Sequence, residues 1–118
     1  MQYLLLCRFD EERWRALPDA ERGAIMRDYG RFVEAIEKSG QHRMTAKLEP
    51  AAATTVVRVR NGALVTLDGP FAEAKEQIGG VHWVEARDLA EALAIAKQIP
   101  TLRAGGVVEV RAVDPQPR

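Results

Sequence analysis

The chain has a single cysteine, Cys7, among 118 residues, which excludes an internal disulfide. Its two histidines, His42 and His82, stand forty positions apart without metal-ligand spacing, so no metal is needed to hold the fold and no cofactor is expected. Charge of one sign is lacking too. The 17 basic and 17 acidic residues cancel and are interspersed, which argues against a nucleic-acid partner and against a polybasic membrane-binding segment. No long apolar run is present: the opening MQYLLLCRFD reaches charge too soon for a signal-peptide core or a membrane span, and a cytoplasmic location is expected. The length suits one domain, placed at residues 1–113, with residues 114–118 as a fraying tail. A chain of this size buries roughly two thirds of its unfolded surface, enough for one core.

What is present is patterning. Residues 2–9 are apolar on both alternate sets, Leu4 and Leu6 on one and Tyr3, Leu5, Cys7 and Phe9 on the other, as in a strand covered on both faces. Cys7 is then a small core hydrophobe. DEERWRAL reads as a loop, after which Pro18-Asp19 opens a helix whose inner face is Ile25, Tyr29, Phe32, Val33 and Ile36, stopped by Gly40. Residues 42–48 form a short strand ending at Pro50, with His42 facing solvent. Asn61-Gly62 between β-branched runs specifies a two-residue type I′ hairpin, giving strands at 54–60 and 63–67. VHWVEA is a further strand. Asp88 with Glu91 caps a second helix carrying Leu89, Ala92, Leu93, Ala96 and Ile99 to Pro100, and VVEVRAV is the last strand.

Between the hairpin and VHWVEA lies DGPFAEAKEQIGG. Asp68 suits an Asx-turn, Gly69 a positive φ and Pro70 a first helical position, while Gly79-Gly80 suit a stop, so a two-turn helix is expected. Phe71, Lys75 and Ile78 fall at i, i+4 and i+7, which sets a lysine on the docking face. It must either snorkel or meet an acid, with Glu76 and Asp68 the local candidates. Glu109 and Arg111 share a face of the last strand and suit an ion pair, with each other or with strand neighbours. His82 can act as acid or base near neutral pH, although a lone strand histidine is more often packed and hydrogen-bonded. Tyr29 is core, its phenol needing a partner if buried.

Two long helices on one face of a mainly antiparallel sheet give an α+β, ferredoxin-like two-layer sandwich. The other sheet face is apolar without a covering layer. A second copy of the same sheet is the simplest cover, so a homodimer is expected, a dimeric α/β barrel formed through sheet packing.

The run Asp68-Gly69-Pro70-Phe71-Ala72-Glu73, then Lys75-Glu76, Gly79-Gly80, Glu85-Ala86, Asp88-Leu89, Glu91-Ala92, Pro100 and Val108-Glu109-Val110-Arg111, resembles the DGPF group of the YCII-related proteins over nearly the whole chain. The resemblance implies a ferredoxin-like subunit that dimerises through its sheet. It implies acid–base chemistry by a first-helix histidine and an aspartate in some members, and dehydrochlorination of a hydroxylated ring in a relative. It further implies a link to transcription through neighbouring sigma-factor genes. Two positions depart from the pattern: Tyr29 stands at the helix histidine, and Ala112 stands where proline is usual.

Two functions follow as expectations. One is a small-molecule enzyme working by proton transfer or elimination in a pocket between the short helix and the sheet. There Asp68, Lys75 and His82 are the catalytic candidates, and Tyr29, Phe71, Glu76, Glu109 and Arg111 line the pocket. The other is a non-enzymatic accessory protein that binds a small ligand or a sigma factor. A purely architectural role for the polar cluster is the third reading, under which Lys75→Ala lowers the melting temperature.

Overall fold

A computed structural model of the chain describes residues 1–71 and 74–116. Ala72 and Glu73, inside the expected short helix, and Pro117 and Arg118, at the end of the expected tail, lie outside the described residues. The elements in order are β1 (Gln2–Asp10), α1 (Glu11–Ala16), α2 (Asp19–Lys38), β2 (His42–Lys47), β3 (Thr55–Arg60), β4 (Ala63–Asp68), β5 (Glu76–Glu85), α3 (Leu89–Ala96) and β6 (Val107–Ala112). Four strands form an antiparallel sheet in the order β2-β5-β1-β6, and β3 and β4 form a separate two-stranded ribbon. The protein is therefore α+β with antiparallel sheets, compatible with a ferredoxin-like fold.

Alternation in β1 assigns the two sheet faces. Tyr3, Leu5 and Cys7 are buried under the helices together with Val84 and His82 of β5. From α2 the core takes Phe32 and Ile36, with Tyr29 and Val33 partly buried against it. From α3 it takes Ala92, Ile95 and Ala96, followed by Ile99. The expected inner positions Leu89 and Leu93 are instead exposed, because α3 ends at Ala96 and turns its Ile95 side to the sheet. The capping arrangement at its start is present: Asp88 Oδ1 accepts from the Glu91 N–H at 2.9 Å, and Glu91 Oε1 accepts from the Arg87 N–H at 3.1 Å.

Two local expectations are corrected. DEERWRAL is not a loop: Asp10 accepts hydrogen bonds from the Glu12 and Arg13 N–H groups and caps α1, whose acids lie in its first turn and arginines in its last. Six residues are too few to show an apolar period. The short helix after Pro70 is also absent among the described residues, and residues 76–78 are instead the start of β5. Gly79-Gly80 therefore stop nothing. The β1–β5 register passes from Cys7↔Gly80 to Arg8↔Ile78, leaving Gly79 as the extra residue of a bulge. A Cβ at Gly79 would stand 1.9 Å from Phe9 Cε1, so glycine is there to let the Phe9 ring lie against the strand.

The hairpin matches its sequence. Asn61 and Gly62 have φ of 54° and 79°, as a type I′ turn requires. Val57, Val59 and Leu64 share one ribbon face and are all exposed. The radius of gyration, 16.2 Å, exceeds the roughly 13.5 Å of a compact chain this long.

Candidate active site

A cavity of about 230 Å³ lies between α2 and the helix-covered face of the sheet, rather than beside a short helix. Phe9, Trp14, Met26, Val33 and Leu48 supply its apolar wall, with Phe9 and Trp14 meeting edge to face at 6.3 Å. Its polar wall is a chain of side chains from four elements. Cys7 Sγ of β1 stands 3.7 Å from Tyr29 Oη of α2, and Tyr29 Oη stands 2.5 Å from His82 Nε2 of β5. His82 Nδ1 stands 2.9 Å from Thr45 Oγ1 of β2, which stands 2.8 Å from His42 Nε2 on the same strand.

Each link has a local cause. Tyr29 faces the sheet because it lies on the α2 stripe with Ile25, Phe32 and Ile36. His82 faces the helices because it alternates with Val81 and Trp83, and its ring stacks on Tyr29 and meets Phe32 edge-on. Thr45 is directly opposite His82. His42 reaches Thr45 through a second bulge: the β2–β5 register runs His42↔Val84 and then Met44↔Trp83, so Arg43 is extra and His42 and Thr45, three apart, share a face. His42 is thus half-buried and hydrogen-bonded, a correction to its expected solvent position. Without the bulge, simple alternation places it on the opposite side.

Burial sets the protonation. His82 is 1% exposed, and burial, helped by nearby His42, lowers its pKa to about 4, leaving the ring neutral at pH 7. Burial also pushes the Tyr29 phenol far up and the Cys7 thiol up. The three donors then line up in one sense: with Tyr29 O–H donating to His82 Nε2, His82 Nδ1–H donates to Thr45 and Thr45 O–H to His42.

Of the residues singled out in the sequence, the structure brings Tyr29 and His82 together and separates the others from them. Asp68 ends β4, exposed, paired through its backbone with Thr55, and its carboxylate makes no hydrogen bond among the described residues. The turn after it uses the backbone instead: Gly69 has φ 96°, and its N–H donates to the Thr54 carbonyl at 2.7 Å. Lys75 is exposed rather than on a docking face, and no acid among the described residues pairs with it. Glu76 is an exposed strand residue. Phe71 is largely exposed and lines a second cavity, about 530 Å³, with Pro70, Leu48, Arg8 and Ile78. Asp68, Lys75 and Glu76 line neither cavity. Glu109 pairs with Arg8 of β1 rather than with Arg111, because Arg8 and Glu109 lie diagonally across the same open sheet face. Arg111 is exposed there. Thr45 escaped sequence reasoning; its signal was its alternation with Met44 and Ala46 beside a strand carrying His82.

The YCII-related domain pattern matches residues 1–116. The chain belongs to the YCII-related family. An uncharacterized protein of Rhizobium meliloti (strain 1021) is 33% identical to it over 112 residues, 94% of this chain and 90% of that one. Within this YCII-related chain no helix among the described residues is long and apolar enough to cross a membrane, and no described cluster of His, Cys, Asp or Glu could hold a metal.

Proposed function

We propose that this YCII-related protein is a small-molecule enzyme that moves a proton in the cavity between α2 and the sheet, with Tyr29 and His82 as its acid–base pair. The observation that carries the reading is the 2.5 Å contact of Tyr29 Oη with His82 Nε2 in the cavity wall. The volume suits a single-ring molecule, since a cavity of about 150 Å³ accommodates benzene. No carboxylate lines it, whereas Lys47 does; Arg8 also borders it, but its guanidinium is engaged by Glu109 on the open sheet face. A phenol or small acid fits that lining. Its negative charge also favours the imidazolium, drawing the pKa of His82 up from about 4 toward the range where it works as a base. Isomerisation or elimination then needs only a proton taken from one atom of the ligand and one returned to another.

A thermal-shift screen of phenols and small carboxylic acids tests this. Ring acids should raise the melting temperature of the wild type, and the shift should vanish in Tyr29→Phe and His82→Gln. A shift kept in both but lost in Asp68→Asn would move the site to the DGPF turn and overturn the assignment.

The DGPF grouping belongs to the same proposal, supported by the Asp68–Phe71 turn that joins β4 to the second cavity. So does the homodimer closed through the sheets. Leu4, Leu6, Val81 and Trp83 lie on the uncovered face, where the buried Trp83 Nε1 has no described hydrogen-bond partner. A two-stranded ribbon is marginal alone, and exposed Val57, Val59 and Leu64 gain cover from a second copy. Sedimentation of Trp83→Glu against wild type tests it: a wild-type monomer would refute the assembly.

A further inference from the structure

His82 is buried and Tyr29 partly so, yet any proton the pair takes must be handed on. The only way out of the histidine that does not pass back through the phenol is Nδ1, and Nδ1 is occupied by Thr45. Thr45 lies on β2, the edge strand of the sheet, and is exposed, while His42 beside it is half-buried. We propose that Thr45 and His42 are the proton outlet of the Tyr29–His82 pair, two relay residues that carry one proton between the cavity and the edge of the sheet. The inference rests on the acid–base reading of the cavity and adds two residues, Thr45 in the cavity lining and His42 beyond it.

The transfer balances without an oxidant or reductant. The ligand gives up a proton to Tyr29 Oη and keeps the bonding electron pair. Tyr29 passes its own hydroxyl proton to His82 Nε2, across 2.5 Å. His82 releases the proton of Nδ1 to Thr45 Oγ1 across 2.9 Å, and Thr45 releases its hydroxyl proton to His42 Nε2 across 2.8 Å. The net change is one proton lost by the ligand and one gained by His42. Running the path in reverse delivers a proton from Tyr29 to the leaving group or to another atom of the ligand, and it also returns the imidazole to its starting tautomer.

Two features fit a relay better than a packing contact. An imidazolium trapped among Leu5, Phe32 and Val84 is disfavoured by burial, so a path that discharges Nδ1 as Nε2 is loaded avoids leaving charge there. The groups facing His82 are Tyr29 and Phe32 from α2, Cys7 and Leu5 from β1, and Thr45 and His42 from β2. None is a carboxylate that could hold the cation in place. The second feature is the Arg43 bulge. It breaks the β2 ladder to turn His42 onto the face of Thr45, a distortion that packing of His82 alone does not need.

The test uses the full chain, labelled with ¹⁵N-histidine and free of ligand. Ring ¹⁵N shifts report the tautomer of His82, and exchange of its Nδ1–H with water is followed between about pH 5 and 8, the range over which histidines ordinarily titrate. The expected result is an Nδ1-protonated ring whose exchange with water depends on the Thr45 hydroxyl and on the His42 ring that accepts from it. Thr45→Val should slow exchange on the order of tenfold, a barrier increase of about 1.4 kcal/mol. His42→Gln should slow exchange likewise, and Thr45→Ser, which keeps the hydroxyl, should restore the wild-type rate. An Nε2-protonated ring, or exchange indifferent to both Thr45→Val and His42→Gln, overturns the relay. Because no ligand is present, that failure is distinct from failure of the acid–base reading, which the thermal-shift screen decides.

Discussion

Acidification should destabilise this protein through His82 well before its carboxylates titrate. The ring is 1% exposed, and its pKa stands at about 4 in the fold against an ordinary value of 6.5. Below pH 6.5 the unfolded chain therefore binds a proton that the folded one refuses, and stability falls as pH falls. The loss begins near 6.5, grows through 5 and levels off below 4. At about 1.4 kcal/mol per pH unit, the interval between the two values corresponds to roughly 3 kcal/mol. That is a substantial part of the roughly 5–15 kcal/mol that holds a domain together. The carboxyls of Asp28 and Glu85 are also held below their ordinary range, the first chiefly by Arg103 and the second by the N-terminal ammonium. Their contribution is present above their unfolded values near 4 and lost beneath them, so the interval from 6.5 to 4.5 belongs to histidine. Urea denaturation at half-unit pH steps, wild type beside His82→Gln, reads the difference. The wild type should lose stability across that interval, and the variant should lose far less. Parallel curves, or an NMR titration of His82 with a midpoint above 6, would refute the reasoning.

Gly79→Ala should cost about 1–3 kcal/mol because its methyl meets the Phe9 ring, and Phe9→Ala in the same chain should recover part of the loss; a double-mutant cycle by urea denaturation measures the coupling. Asp88→Ala removes the cap of α3 and should cost about 0.5–2 kcal/mol, seen as a lower melting temperature. Lys75→Ala should change stability by no more than about 0.5 kcal/mol, since the lysine is exposed and unpaired among the described residues; a clear drop in melting temperature would restore the architectural role expected from its helical spacing.

The fold was legible where a signal is local. Apolar residues on both sets of β1, the Asn61-Gly62 turn and the Asp88–Glu91 cap each act over a few residues, and each is where it was expected. Legibility ended where a residue answers to something distant. Gly79 and Gly80 have the composition of a helix stop, but their cause is Phe9, seventy positions away in the chain, together with the Ala46 carbonyl 3.3 Å from where a Gly80 Cβ would lie. Phe71, Lys75 and Ile78 have helical spacing, yet β5 extends back to Glu76 because β1 offers it partners as far as Asp10. Strand pairing overrode the local period. At the site, Tyr29 and His82 were both marked in the sequence, but their contact was not. Thr45 and His42 needed the Arg43 bulge, and alternation alone gives no sign of one.

The same geometry bears on the tyrosine that stands where the resemblance implies a first-helix histidine. A first-helix histidine facing the sheet would be supported by whatever the opposing strand presents. Here the helix presents Tyr29, and the strand opposite presents the histidine. The imidazole is thus held at the same helix–sheet boundary but rooted in β5, where the ladder fixes its backbone on both sides through β1 and β2. Rooted there, its second nitrogen points along the sheet to Thr45. An aspartate partner is unnecessary for orientation in this arrangement, since a phenol and a hydroxyl already engage both ring nitrogens. The consequence is a pair without formal charge at pH 7. Under the proposed acid–base reading, which builds the chemistry from neutral groups, Asp68, the most conspicuous acid in the sequence, is free to stand exposed at the end of β4.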